Sequence, residues 1–370
     1  KSMKVLSLFD GISCGQQALK ELGIPVEKYY ASEIEKHPIA ITRYHFPDTV
    51  QLGDITKWRE WDIDWASIDL VQGGSPCQGF SFAGKQLNFE DPRSKLFFEF
   101  VDILNHVKTH NPNVKFLLEN VRMKKEYQDV ISEQLGVQPV MINSALVSAQ
   151  NRVRLYWTNV GEIEQPEDRG ILLRDVLEDI QPTKSLPPLT ARRVGYSEKE
   201  GTVRGFQADR KKSTVSESVF HLPEAKTTAV TVANVPKCIQ VGEANLKGHD
   251  SIKRVYSADG KSPTLTTMGG GHREPKVQVR EKSKCVRSSG LGSYDRHEWD
   301  SVGNKGTELY WRKLTPLECE RLQTLPDQYT ALGNYDGEIK EVANTNRYEA
   351  LGNGWTVEVI KHILRHLVVK

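Results

Sequence analysis

The chain has 370 residues, enough to bury a large core and to suggest two domains, and its 38% hydrophobic and 26% charged content is that of an ordinary globular protein. No apolar run is long enough to cross a bilayer, and nothing near Met3 resembles a signal peptide. Five scattered cysteines without metal-ligand spacing exclude a disulfide framework and a zinc site, and fit a reducing cytoplasm.

The net charge of +2 conceals an asymmetry. Residues 191–290 hold 19 Lys and Arg against 10 Asp and Glu, a local +9, leaving the rest at −7. A basic segment on an acidic chassis points to a polyanion partner touched by one part of the molecule.

In chain order, Met3 to Phe9 reads as a strand, Asp10 to Gly15 as a tight turn, and Gln16 to Leu22 as a helix stopped by Gly23 and Pro25. A second strand, Val26 to Ala31, ends at Glu33, which makes a nucleotide-binding βαβ unit. The Gly-x-x-x-Gly spacing is not the Gly-x-Gly-x-x-Gly fingerprint, which disfavours a dehydrogenase. Glu33 suits ribose hydroxyls, and Asp54, at the end of a third short strand, suits an adenine amine; either acid could instead cap a helix. Ile68 to Val71 reads as a buried strand, after which Gly73, Gly74 and Pro76 shape a turn presenting Cys77.

Lys95 to Val107 has helical spacing. Lys115 to Leu118 is another strand, ending in Glu119-Asn120-Val121, where a carboxyl beside a cysteine loop is a general-acid candidate. Val137 to Ser148 and Val153 to Val160 alternate like a hairpin, and strand periodicity puts Arg152 and Arg154 on one face. From Gly161 to about Glu308 helical spacing survives mainly in Ile171 to Ile180. The rest is rich in Pro, Gly, Ser, Thr and basic residues, including Gly269-Gly-Gly-His-Arg273, which suits a phosphate backbone or a hairpin turn. Helical structure returns at Arg312 to Gln323, with Thr315 as N-cap and Pro316 at the first position, and in a last helix after Asn353-Gly-Trp-Thr356.

Together, Phe9-Asp-Gly-Ile-x-x-Gly15, Gly74-Ser-Pro-Cys-Gln78, Glu119-Asn-Val121, Gln150-x-Arg-x-Arg154 and Gly352-Asn-Gly354 resemble, in order, the motifs of the DNA (cytosine-5)-methyltransferases. The resemblance covers about 1–160 and 309–370. The first and last motifs look like the animal de novo branch, and the long basic insert, with its Ser262-Pro-Thr-Leu-Thr-Thr267 phrase, looks like bacterial and phage enzymes.

The resemblance implies an α/β, Rossmann-like S-adenosylmethionine-dependent domain (1–160 plus 344–370) and a smaller, loop-rich, mostly β target recognition domain (161–343), reading DNA through about 185–308. It implies Cys77 as nucleophile on C6 of a flipped-out cytosine, Glu119 protonated at N3, Arg152 at the ring carbonyl and Arg154 in support. For the cofactor, and its product S-adenosylhomocysteine, it assigns Phe9, Gly11, Ile12, Ser13, Gly15, Glu33, Ile34, Asp54, Ile55, Pro76, Leu96, Asn353 and Trp355. Gln78, Ser81, Lys85 and Arg273 are expected at DNA, the loop from Gln78 to Gln86 closing over the extruded base. No metal is expected. The expected partners are double-stranded DNA and a cognate restriction endonuclease, for a cytoplasmic, monomeric, bacterial or phage-encoded enzyme. The rival readings are a tRNA methyltransferase of the same family and a catalytically silent DNA-binding relative.

Overall fold

The computed structural model describes residues 2–74, 92–178, 237–244, 246–268, 272–279 and 310–367. Pro76, Cys77, Gln78, Ser81, Lys85, the rest of the loop to Gln86 and most of 185–308 lie outside the described residues.

The chain opens with β1 (Met3–Leu8), α1 (Cys14–Glu21), β2 (Val26–Ser32), α2 (Lys36–His45) and β3 (Val50–Gln51). It continues with β4 (Leu70–Gly74), α3 (Pro92–His110), β5 (Lys115–Val121), α4 (Lys125–Leu135), β6 (Val140–Asn143) and β7 (Val153–Thr158). These strands form one seven-stranded sheet in the order β3-β2-β1-β4-β5-β7-β6. β1 to β5 are parallel, and β7 runs antiparallel between β5 and β6. The order reverses between β1 and β4, which is where open α/β sheets bind ligands, outside the strands' carboxyl ends.

Strand alternation sorts the core into two layers. Val5, Tyr29, Ala31, Leu70, Leu117 and Tyr156 face α1 and the C-terminal helix, whereas Leu6, Leu8, Tyr30, Val71, Phe116, Leu118, Leu155 and Trp157 face α3 and α4. The expected helix at Lys95 to Val107 is the middle of α3, and Phe97, Phe100, Ile103, Leu104 and Val107 on it are fully buried.

Four strands, β8 (Gln240–Glu243), β9 (Arg254–Tyr256), β10 (Lys276–Val279) and β11 (Tyr310–Lys313), make a second sheet in the order β11-β10-β9-β8, with α5 (Asp250–Lys253) between β8 and β9. Then come α6 (Pro316–Leu322), the hairpin β12 (Leu332–Tyr335) and β13 (Glu338–Glu341), α7 (Asn344–Asn353) and α8 (Val357–Leu364). Val357, Val359, Ile360, Ile363 and Leu364 on α8 have no exposed surface, roughly 2 kcal/mol of gross burial each. That stripe packs on α1, closing the catalytic sheet with the end of the chain.

Three local readings change. The helical spacing at Ile171 to Ile180 gives only a 3₁₀ turn, Leu173–Asp175, among the described residues, because Leu173 and Arg174 donate their N–H groups to the Gly260 and Ala258 carbonyls instead. Val137 to Ser148 is strand only over Val140–Asn143, where the Asn143 side chain caps a 3₁₀ turn at Ser144–Leu146. Residues 316–343 pack beside α2 rather than only with the small sheet: His45 stacks on Tyr329 at 4.0 Å, and Tyr329 Oη donates to the Ile12 carbonyl at 2.8 Å.

Candidate active site

The carboxyl ends of β1, β2 and β3 lie side by side and carry the expected cofactor residues. After β1 the backbone turns through positive φ at Phe9 (56°), Gly11 (57°) and Ser13 (57°). The turn exposes the Gly11 amide, which donates to Glu33 Oε2 at 2.8 Å, and Glu33 Oε1 accepts from the Ile34 and Glu35 amides at 2.8 and 3.0 Å. Ser13 is not a conventional cap; its hydroxyl donates to Asp10. Asp54 accepts from the amide and the hydroxyl of Thr56, both at 2.9 Å, so it caps a 3₁₀ turn and also stands at the sheet edge. Ile34 is 69% exposed beside Glu33, whereas Ile12 and Ile55 are buried in the core. At Gly15 a side chain has no room, because a Cβ would stand 2.1 Å from Gln72 Nε2.

Underneath this turn lies a network that sequence reading missed. Tyr29 Oη donates to Asp10 Oδ1 at 2.7 Å and accepts from Gln72 Nε2 at 2.8 Å. Burial raises the Asp10 carboxyl to about 6, against the pull of its hydroxyl partners. No periodicity signals such a network, since its members come from two strands, β2 and β4, and from the turn after β1.

At the ends of β4, β5 and β7 the second cluster assembles. Gly74 pairs with Glu119 across parallel strands, and Val121 pairs with Arg154 across antiparallel ones. Arg154 Nε donates to Glu119 Oε1 at 2.9 Å, and Trp355 Nε1 donates to Glu119 Oε2 at 3.1 Å. Glu119 is 9% exposed. A Cβ at Gly74 would lie 2.8 Å from Trp355 Nε1 and 2.9 Å from Glu119 Oε2, so the glycine is there for the approach of those two groups.

Arg152 is enclosed. Its guanidinium donates to the carbonyls of Leu265, Gly352 and Gly354 at 3.0, 3.1 and 3.0 Å, and the residue is 4% exposed. Burial, with Arg154 nearby, lowers its pKa to about 10. It binds the residue just before β7 to the last motif and to the Pro263-Thr-Leu265 segment. Gln150 takes part in the same junction, accepting from the Leu265 amide at 3.0 Å and donating to the Leu322 carbonyl at 3.2 Å.

Of the other site residues, Leu96 is half-buried on α3, Asn353 is exposed at the end of α7, and Arg273 is exposed just ahead of β10. Burial pushes the Cys14 thiol up to about 12 and holds Cys319 well above its ordinary value. Neither suits thiolate chemistry, which needs a lowered pKa. Among the described residues no helix is long and apolar enough to cross a membrane.

A doubly wound sheet with an antiparallel strand inserted next to its edge thus carries two acids at its first strand ends and a Glu–Arg pair at its middle ones. The chain matches the model of C-5 cytosine-specific DNA methylases over residues 3–368, and it belongs to that family. It is 27% identical over 442 residues to the orphan methyltransferase M.SPBetaI of Bacillus phage SPbeta, covering 99% of this chain and 97% of that protein. It is 26% identical to the orphan methyltransferase M.Rho11sI of Bacillus phage rho11s, covering 99% and 98%. Solved structures with a similar fold include the Entamoeba histolytica methyltransferase EhMeth (TM-score 0.59, 14% identity, 99% and 98% covered) and the S. pombe Dnmt2 methyltransferase (TM-score 0.56, 17% identity, 99% and 98% covered).

Proposed function

We propose that this DNA methyltransferase modifies C5 of a cytosine turned out of a DNA duplex, with Cys77 as nucleophile and the Glu119–Arg154 pair as the base-holding group. The observation that carries the reading is the position of that pair: Glu119 and Arg154 meet beside Gly74, three residues before Cys77 in the chain.

The residue types fit the cofactor. The Glu33 and Asp54 carboxylates suit hydroxyl and amine donors, and Phe9 and the exposed Ile34 offer apolar surface for a planar ring. When bound, S-adenosylmethionine supplies an electrophilic methyl to C5 and leaves as S-adenosylhomocysteine. The protein's part is to make C5 able to accept it. Cys77, as thiolate, adds to C6, and the displaced ring electron pair moves toward N3 and C5. Glu119, carrying a proton, donates to N3 and offsets the charge gathering there. Arg154, rather than the enclosed Arg152, turns from Glu119 to the ring carbonyl. Loss of the C5 proton to solvent, expulsion of Cys77 as thiolate and return of the N3 proton to Glu119 restore the aromatic ring.

DNA contact is assigned to Gln78, Ser81 and Lys85 on the loop after Cys77 and to Arg273 on the small sheet's side, with base reading from within 190–290 through the major groove. The test is transfer of labelled methyl groups from the cofactor to DNA by wild type and Cys77→Ala. Wild type labels C5 of cytosine and the variant does not; methylation by Cys77→Ala would overturn the mechanism. Bisulfite sequencing of DNA from expressing cells then gives the recognition sequence.

A further inference from the structure

We infer that Trp355 is a positioning residue for Glu119: its indole N–H fixes the carboxyl group in the plane in which it meets the cytosine ring. The inference rests on the reading of Glu119 as the base-holding residue.

The geometry is specific. Trp355 Nε1 lies 3.1 Å from Glu119 Oε2, on the opposite oxygen from the one Arg154 holds at 2.9 Å. Gly74 leaves the space in which the two groups meet, since any side chain there would stand within 3 Å of both. The Trp355 backbone is held as well. The preceding Gly354 carbonyl accepts from Arg152 at 3.0 Å and from Gln323 Nε2 at 3.2 Å. An indole fixed at its root and aimed at one carboxyl oxygen is more than core filling.

The two donors to Glu119 are not equivalent. The Arg154 guanidinium on Oε1 is the group proposed above to turn to the ring carbonyl, so its contact is given up when a base enters. A neutral N–H can remain on its oxygen whether or not the other oxygen is protonated. Arg154 is therefore the contact that changes on base entry, and Trp355 is the one that persists. Each oxygen needs that order: Oε2 anchored by Trp355, Oε1 released by Arg154 to face the base.

The test compares Trp355→Phe with Trp355→His, the first keeping an aromatic ring without a donor and the second restoring an N–H. Phe is expected to lower kcat about tenfold, the effect of one lost hydrogen bond to a charged or charge-bearing group, with KM for S-adenosylmethionine changed less than about twofold. His is expected to recover part of kcat. In a Glu119→Gln background, where the carboxyl is already gone, Trp355→Phe is expected to cost nothing further. A matching loss of kcat in both backgrounds, no recovery by His, or a loss seen only as a raised KM for the cofactor would each overturn the inference. Near-wild-type activity of Glu119→Gln itself would instead overturn the base-holding reading beneath it.

Discussion

Two arginines two residues apart do different work, and a pair of substitutions separates them. Among the described residues Arg154 is tied to Glu119 and to the Val153 carbonyl, whereas Arg152 satisfies three buried carbonyls from two other segments. Arg154→Ala is expected to reduce kcat at least a hundredfold while the unfolding midpoint in urea hardly moves, on the order of 3 kcal/mol of lost electrostatic stabilisation at the ring. Arg152→Ala strands those carbonyls and is expected to cost about 3 kcal/mol of folding stability, read from the same urea titration. Equal losses of stability from the two would contradict the assignment. Asp10 gives a second check. Its carboxyl is raised to about 6 by burial, from an ordinary 3.8, so between those values the folded protein binds more protons than the unfolded one. Stability therefore falls as pH rises through that window and is flat above it, and the group opposes folding at neutral pH by on the order of 3 kcal/mol. Asn at this position can still serve the rotating hydroxyls of Ser13 and Tyr29. Asp10→Asn is expected to be the more stable protein at pH 7, with the gap closing toward pH 4.

At the level of elements, α6 was the plainest in the sequence. Thr315 caps it, Pro316 occupies its first turn, and Glu318 returns the bond to the Thr315 amide at 2.8 Å, so the letters Thr-Pro-x-Glu spell a complete capping box. The first βαβ unit was equally readable, because glycine and proline punctuate it on both sides. α2, α7 and the β12–β13 hairpin were not foreseen. The α7 sequence, Asn344-Thr-Asn-Arg-Tyr-Glu-Ala-Leu-Gly-Asn353, is poor in helix formers and has no strong apolar stripe, and it is held by contacts that spacing does not reveal. Arg347 reaches back to Glu320 on α6 at 2.9 Å, and the Gly352 backbone abuts the Thr266 carbonyl so closely that a Cβ would stand 2.0 Å from its oxygen. Backbone cannot yield as a flexible side chain does. Gly352→Ala is accordingly expected to lose about 3 kcal/mol, the upper range of overpacking costs, by thermal or urea unfolding; a loss below 1 kcal/mol would show the Thr266 segment free to shift. Which guanidinium is enclosed does not read from sequence for the same reason: strand periodicity gives the face, and only the neighbouring segments decide it.

For the whole molecule, the composition suggests two domains, and the basic surplus in 191–290 singles out one of them, yet the packing ties the described parts together. The hydrophobic cluster that begins on one face of the large sheet with Val5, Tyr29 and Tyr156 continues without a break through Leu265, Met268 and Val277 to Leu314 and Cys319. Polar contacts reinforce the seam: Lys261 donates to the carbonyls of Ala145 and Ser148 at 2.7 and 3.0 Å, the Ser262 amide donates to the Ala149 carbonyl at 2.8 Å, and the Ser262 carbonyl accepts from the Asn151 amide at 2.9 Å. A junction with few contacts would let the small sheet melt first. A shared core makes its residues part of the same cooperative unit as the catalytic sheet. Leu265, 1% exposed and bracketed by Gln150 and Arg152, tests this directly. Leu265→Ala is expected to destabilise the protein by about 3 kcal/mol, from lost burial plus the cavity left behind. Far-UV circular dichroism and tryptophan fluorescence, read in a background with Trp299→Phe and Trp311→Phe so that Trp58, Trp157 and Trp355 report on the large sheet's side, should then shift together in urea. Separate transitions, with the fluorescence midpoint left at its wild-type position, would show instead that the small sheet unfolds on its own and that the catalytic cluster does not depend on it.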